Sequence, residues 1–296
     1  LFALDVPALV LFSESRKQRQ TRIAVGSVFR LTKKAQQRIL YRAKSFKEPQ
    51  SWGPLRDPER YLGGVRDASP RVKQLVAQLT TKANGAQQVG TAIMRYFQQN
   101  FRYTLEPGPL SSNSVDEFLF EKKVGFCEHF AASFAYLMRV AGIPSRIVIG
   151  FQGGKMNDLL PGYLTVTGAD AHSWVEVFDK DSEKWLRMDP TFVVAPLRLE
   201  LGGQVFHSLP EEALQAGMDL QQAEAMYNSG WLQKYFGQIL LYGEFAAIQW
   251  NEFLIKYNQE GQRNFLKKLG LQFLDSKWLG LISVMILIAF FLWRSS

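Results

Sequence analysis

Between Gly125 and Phe151 the chain reads GFCEHFAASFAYLMRVAGIPSRIVIGF, and this run constrains the fold more than any other. Phe130, Phe134, Leu137, Met138 and Ala141 recur at the spacing of one helix face. Gly142 suits the left-handed position after a helix, and Pro144 bars continuation. The pattern predicts a helix over 127–141, followed at once by the strand SRIVIGF. YLTVT, HSWVEVF and KWLRM supply further strands. Upstream, Ser69-Pro70 opens a helix as N-cap and first residue, and Asn84-Gly85 breaks it. A second helix is expected over 86–98, with Val89, Ile93, Met94 and Phe97 on one stripe. FRYTL reads as a short strand, and Ser114 to Glu117 as a capping box. Helices followed by antiparallel strands predict an α+β fold.

The same run holds Cys127, the chain's only cysteine, at the start of its helix. Four backbone N–H groups of a first helical turn lack helical partners, and the dipole there is positive. Both favour thiolate over thiol, and thiolate is the nucleophile. Gly125 permits a close backbone approach or an unusual dihedral. Position alone fits a small core residue as well as a nucleophile.

A base and its orienter come from the hairpin HSWVEVF-DKDSE-KWLRMD. A loop over 179–182 sets Phe178 against Glu183, Val175 against Leu186 and Ser173 against Met188, giving one mostly apolar face. Trp174 then meets Arg187 as a cation–π pair, and His172 lies opposite Asp189. A histidine beside a carboxylate is a base with its orienter, lacking only a nucleophile.

The remaining chain says more about location than chemistry. Residues 1–66 contain short β-like runs and read as a β-rich unit; 67–198 hold the helices and strands above; 199–277 read mostly helical. Trp278 to Trp293 is 16 uncharged residues, WLGLISVMILIAFFLW, flanked by tryptophan at both ends. It spans roughly 24 Å, and extension upstream through Leu271 and Phe273 reaches the ~30 Å of a bilayer core. A transmembrane helix over 278–293 is expected, with membrane lipid as its partner. Three lysines precede it and Arg294 follows, a count that by itself puts the main domain inside the cell. The chain starts at Leu1 with no signal peptide after it, so it is expected to be part of a longer protein. With 47% hydrophobic and 21% charged residues a packed core is expected rather than disorder. The net charge of +8 comes from dispersed residues without a nucleic-acid module, so no nucleic-acid partner is expected.

VGFCEHF, DAHSWVEVF and WLRMDPT, in that order, resemble the transglutaminase-like family over about 69–191. LFALDVP, QWNEFLIKYNQEGQ and the terminal apolar stretch resemble its membrane-anchored bacterial branch. The resemblance implies a papain-like core, with Cys127, His172 and Asp189 as catalytic residues. It implies acyl transfer from a protein or peptide glutamine to an amine or water. It also implies a domain outside the bacterial inner membrane, facing the periplasm or cell exterior, with further spanning helices ahead of it.

An oxyanion donor is expected from the backbone of Cys127. Animal members use an upstream tryptophan for a second, and here none lies between Trp52 and Trp174. Tyr103, in NFRYT, is the side-chain candidate. Trp174 and Glu128 are candidates for the substrate cleft, and His129 for packing beside it. No cofactor is expected. Cys127, His129, His172 and Asp189 offer one sulfur and no tight ligand pair, which argues against zinc. No acidic loop resembles a calcium cage. A peptidase or amidase with the same three residues, and a non-catalytic binding scaffold, are the rival readings.

Overall fold

A computed structural model describes residues 6–12, 21–24, 28–31, 41–46, 55, 57–109, 114–156, 162–215, 217–229 and 246. The chain divides into two compact units, Leu1–Lys234 and Tyr235–Ser296. The apolar span expected over 278–293 lies outside the described residues. Among the described residues no helix is long and apolar enough to cross a membrane.

Among the described residues four strands open the first unit: β1 (Val6–Phe12), β2 (Thr21–Ala24), β3 (Val28–Leu31) and β4 (Tyr41–Phe46). β1 pairs antiparallel with β4, and β2 with β3. The β1–β4 register shifts between Pro7 and Leu9. Pro7 has no N–H to give to a ladder.

A short α1 (Pro58–Leu62) precedes α2 (Pro70–Thr80) and α3 (Gly85–Asn100). Ser69 caps α2, its Oγ accepting the Val72 N–H at 3.3 Å. α3 buries Val89, Ile93 and Phe97 on the expected stripe. β5 (Arg102–Tyr103) follows, then α4 (Ser114–Glu117), which continues as a π turn over Phe118–Lys122. Lys123 takes a left-handed conformation and turns the chain into β6 (Val124–Gly125). β6 runs parallel to β5, with Tyr103 paired to Gly125.

α5 (Cys127–Val140) is the central helix, and it ends where Gly142 adopts φ 77°. Phe130, Phe134, Leu137 and Met138 are fully buried, each contributing roughly 1.5–3 kcal/mol by burial. Phe97, Phe101, Phe118 and Phe130 form a ring cluster beneath the helix start, with centroids 5.0–6.3 Å apart. This cluster fixes the first turn of α5 and hence the thiol it carries.

α5 packs on an antiparallel sheet of order β11-β10-β7, where β7 is Ser145–Phe151, β10 is Ala171–Asp179 and β11 is Lys184–Met188. β8 (Lys155–Met156) and β9 (Leu164–Thr165) form a small hairpin between β7 and β10. Among the described residues five helices follow β11: α6 (Thr191–Val194), α7 (Pro196–Glu200), α8 (Gly202–Ser208), α9 (Glu211–Gln215) and α10 (Leu220–Ser229).

The hairpin register differs from the expected one by two residues. Val175 faces Met188, Val177 faces Leu186 and Phe178 faces Trp185. A two-residue shift keeps every side chain on its expected face. Its cause lies in the turn. Asp179 belongs to the ladder opposite Lys184, and its carboxylate accepts the Ser182 N–H at 3.1 Å and hydroxyl at 2.6 Å. Glu183 then takes φ 53° to re-enter the strand.

Candidate active site

The thiol of Cys127 sits at the first position of α5, with 7% of the residue's surface exposed. Two features fix that turn. Gly125 lies so close to its neighbours that a Cβ there would stand 2.8 Å from His129 Cβ and 2.9 Å from Phe118. His129 Nδ1 accepts the Phe126 N–H at 3.4 Å. His129 is thus a helix-start residue packed against the rings of Phe118 and Phe126. Glu128 is exposed, and its charge acts on His129.

His172 enters from the start of β10, where its side chain is fully buried. Its Nε2 lies 2.7 Å from Asp189 Oδ2. The other carboxylate oxygen, Oδ1, accepts the Thr191 N–H at 3.0 Å. Both oxygens of Asp189 therefore have fixed work, and the imidazole has one orientation. That leaves Nδ1 for the sulfur. Ser173 follows His172 and also reaches the thiol. Neither His172 Nδ1 nor Ser173 Oγ closes a hydrogen bond of full geometry, to sulfur or to any other atom. They are buried polar atoms whose neighbour is the thiol, and the electrostatics reflect this.

Burial raises the Cys127 thiol, but hydrogen bonding to His172 and Ser173, the imidazolium charge and the Ser173 backbone outweigh it, so its pKa is lowered. Burial lowers His172, but hydrogen bonding to Asp189 and Cys127 and their negative charges outweigh it, so its pKa is raised. Opposite shifts on a sulfur and a ring in contact favour a thiolate–imidazolium pair. Such a pair is a nucleophile with its proton donor at hand.

Trp174 lies beside this assembly, its ring stacked on His172 with centroids 6.2 Å apart, and the Arg187 guanidinium lies over the indole, 4.3 Å from its centroid. Gly150, on β7 opposite His172, leaves room for that indole: a Cβ there would meet it at 2.9 Å.

Tyr103 lies close enough to Cys127 for the two to interact. Its ring stacks on Phe130 at 6.2 Å and meets Phe206 edge-on at 5.6 Å. Its hydroxyl lies by the backbone N–H of Cys127 and the guanidinium of Arg198. Burial, with the thiolate charge adding to it, pushes the phenol up to about 12, against the lowering pull of Arg198 and the Cys127 amide. The hydroxyl keeps its proton at neutral pH.

Three residues around the site went unmarked in the sequence. Ser173 had a cue, its place beside the histidine. Asp170 has no exposed surface, and it ties the 3₁₀ turn before His172 to α8 through the Gly203 N–H at 3.0 Å. Arg198 is 1% exposed, yet PLRLE reads as an ordinary helical turn. Among the described residues no cluster of three His, Cys, Asp or Glu is arranged to hold a metal ion.

Comparison with known proteins places these residues in context. A family model described as the transglutaminase-like superfamily matches residues 73–190. The protein-glutamine gamma-glutamyltransferase of Pseudomonas aeruginosa is 35% identical over 206 residues, 68% of this chain and 29% of that protein. The Bacillus subtilis protein YebA, itself uncharacterized, is 33% identical over 140 residues, 45% of this chain and 19% of that protein. The chain thus spans less than a third of the length of these two curated relatives. The crystal structure of the periplasmic domain of TgpA from Pseudomonas aeruginosa, bound to ethylmercury, aligns with a TM-score of 0.59 at 35% identity, over 68% of this chain and 70% of that one. The matched stretch contains the thiol, the imidazole and the carboxylate alike, and on this agreement of sequence and fold the chain belongs to the transglutaminase-like superfamily.

Proposed function

We propose that the chain is a cysteine-dependent acyltransferase, a protein-glutamine gamma-glutamyltransferase acting through a thioester. The observation that carries this reading is the line of buried Cys127, buried His172 and partly buried Asp189, with the thiol acidified and the imidazole made more basic by their contact. The name of the Pseudomonas relative supports glutamine as the acyl donor.

The thiolate of Cys127 attacks the carboxamide carbon of a protein or peptide glutamine. A C–S bond forms and the carbonyl oxygen becomes an oxyanion. The backbone N–H of Cys127 is its first donor, a contact worth about 3–4 kcal/mol in such sites. As the C–N bond breaks, the His172 imidazolium gives its proton to the leaving nitrogen, and ammonia departs. An amine then attacks the thioester, and His172 takes its proton as the C–S bond breaks and thiolate returns. Asp189 holds the ring in one orientation and stabilises its cationic form. Trp174 walls the acyl site, where a dry surface favours an amine over water as acceptor.

The periplasmic placement of the solved relative supports a domain working outside the bacterial inner membrane. In this reading 67–198 is the catalytic core, 1–66 a β-rich unit, 199–277 a helical lead to the membrane, and 278–293 the spanning helix in contact with lipid.

Incubating the chain with a glutamine peptide and a labelled primary amine tests the proposal. Label uptake that depends on Cys127 is the expected result. Conversion of the peptide's glutamine to glutamate, or cut peptide, without label uptake would make the protein an amidase or peptidase. A Cys127 inert to iodoacetamide at neutral pH would leave only a binding scaffold.

A further inference from the structure

We propose that Arg198 positions Tyr103 as a second oxyanion donor, which extends the acyl-transfer reading above and rests on it. Arg198 lies in α7, outside the stretch matched by the family model. The residue is 1% exposed. Nη2 donates to the carbonyls of Ala169 at 2.9 Å and Ala171 at 3.1 Å, clamping the turn that delivers His172. Nε and Nη1 are buried with no hydrogen-bond partner. A buried cation with two idle donors is costly, so their surroundings call for an explanation.

The Tyr103 hydroxyl supplies it. β5 holds Tyr103 beside Gly125, two residues before the thiol, and the ring is gripped between Phe130 and Phe206. Its oxygen therefore stands between the guanidinium and the Cys127 amide. A slight turn of the guanidinium would let one of these idle N–H groups donate to the phenol oxygen and occupy a lone pair. The phenol proton is then free to point at the acyl carbon's oxygen, beside the Cys127 N–H. Two donors would converge on the developing negative charge, and the arginine would strengthen one without touching substrate. Tyr103 is the catalytic residue in this arrangement, and Arg198 the positioning residue.

The test uses the full chain with p-nitrophenyl acetate, whose ester carbonyl forms an oxyanion whatever the natural acyl donor. Tyr103→Phe should lower kcat on the order of 10²-fold, as loss of one oxyanion donor does, with KM little changed. Its rate of alkylation by iodoacetamide should stay at the unmodified level, because that reaction forms no oxyanion and Tyr103 does not set the thiol's acidity. Arg198→Lys should lower kcat about tenfold alone but less than about twofold in the Tyr103→Phe background, since the two act as one unit.

Full kcat in Tyr103→Phe would overturn the inference. So would an equal Arg198→Lys effect in both backgrounds, or a parallel fall in alkylation. Arg198→Gln keeps a donor for the two carbonyls and serves as the second variant. Loss of fold in both arginine variants would assign Arg198 to structure alone and overturn its positioning role. Failure of glutamine as donor leaves this result standing, whereas ester turnover surviving in Cys127→Ala would remove the thiol mechanism itself.

Discussion

His172 Nε2 lies 2.7 Å from Asp189 Oδ2, although the two residues are not cross-strand partners in the β10–β11 ladder. The last ladder pair is Val175 with Met188. Continuing it sets Asp189 against Trp174, so the carboxylate reaches diagonally to the residue two places back. Diagonal neighbours on one sheet face are close enough for this.

Asp189→Asn should separate orientation from folding. The carboxylate accepts from His172 through one oxygen and from the Thr191 N–H through the other. An amide has one acceptor oxygen for these two jobs, and its NH₂ would face a donor. The expected outcome is a kcat loss on the order of 10²–10⁴-fold, as when a triad carboxylate is neutralised, with the fold retained. Steady-state kinetics with circular dichroism checks it. Unchanged kcat would show that Asp189 does not orient the ring.

The thiol–imidazole contact sets a pH dependence. Cys127 is lowered from its ordinary value of 9.0, and His172 is raised from 6.5. For the thiol, stability gained from the shift is complete above 9.0 and is lost as pH falls through the folded value. For the imidazole it is complete below 6.5 and is lost as pH rises through the folded value. Both shifts widen the pH range in which thiolate and imidazolium coexist. Alkylation of Cys127 by iodoacetamide should remain fast at pH values where a free cysteine is already slow. His172→Ala should move that profile toward higher pH. A profile that stays in place would mean that the ring does not acidify the thiol.

How far the sequence reveals all this depends on the range of each interaction. α5 was legible because its signals are local. The apolar stripe, Gly142 and Pro144 give 127–141, and the helix is Cys127–Val140. Ser69 was legible as a cap for the same reason. The hairpin showed its faces but not its register. Alternation fixes the face, whereas register depends on how DKDSE folds, and nothing in that string marks Glu183 for a left-handed conformation. The contact of His172 with Asp189 came through because a two-residue slip preserves the face. Arg198 was illegible: its carbonyl partners lie 29 and 27 residues away, and local sequence carries no trace of them.

Asp170 links the turn before His172 to α8, and its charge is part of that link. Burial would raise its pKa, yet the Thr167 N–H, Gln204, the Thr167 hydroxyl and the Gly203 N–H lower it below 3.8. Its stabilising contribution is present above 3.8 and is lost as pH falls through the folded value. Asp170→Asn should cost about 2–3 kcal/mol at neutral pH, because hydrogen bonds to a charged acceptor are the stronger kind. The deficit relative to the unmodified chain should shrink in acid. Denaturant melts at neutral and acidic pH provide the check, and a deficit constant with pH would contradict the charged role.

Two glycines should both lose stability to an added methyl group but differ in their effect on turnover. At Gly203 a Cβ would stand 1.8 Å from the Ala169 carbonyl oxygen and 2.4 Å from its carbon. These are backbone atoms, and Arg198 Nη2 holds the same carbonyl at 2.9 Å, so the turn cannot yield cheaply. Gly203→Ala should cost at least the ~1–3 kcal/mol of an overpacked core, and should lower kcat because Ala169 lies three residues before His172. At Gly142 a Cβ would meet nothing within 4 Å, and only the φ of 77° opposes it. Gly142→Ala should cost about 1–2 kcal/mol, the strain of one left-handed residue, and leave kcat alone. Melting temperatures and ester turnover of both variants decide the matter. An active, undiminished Gly203→Ala would mean that the clamp on the 168–171 turn does not hold His172 in place.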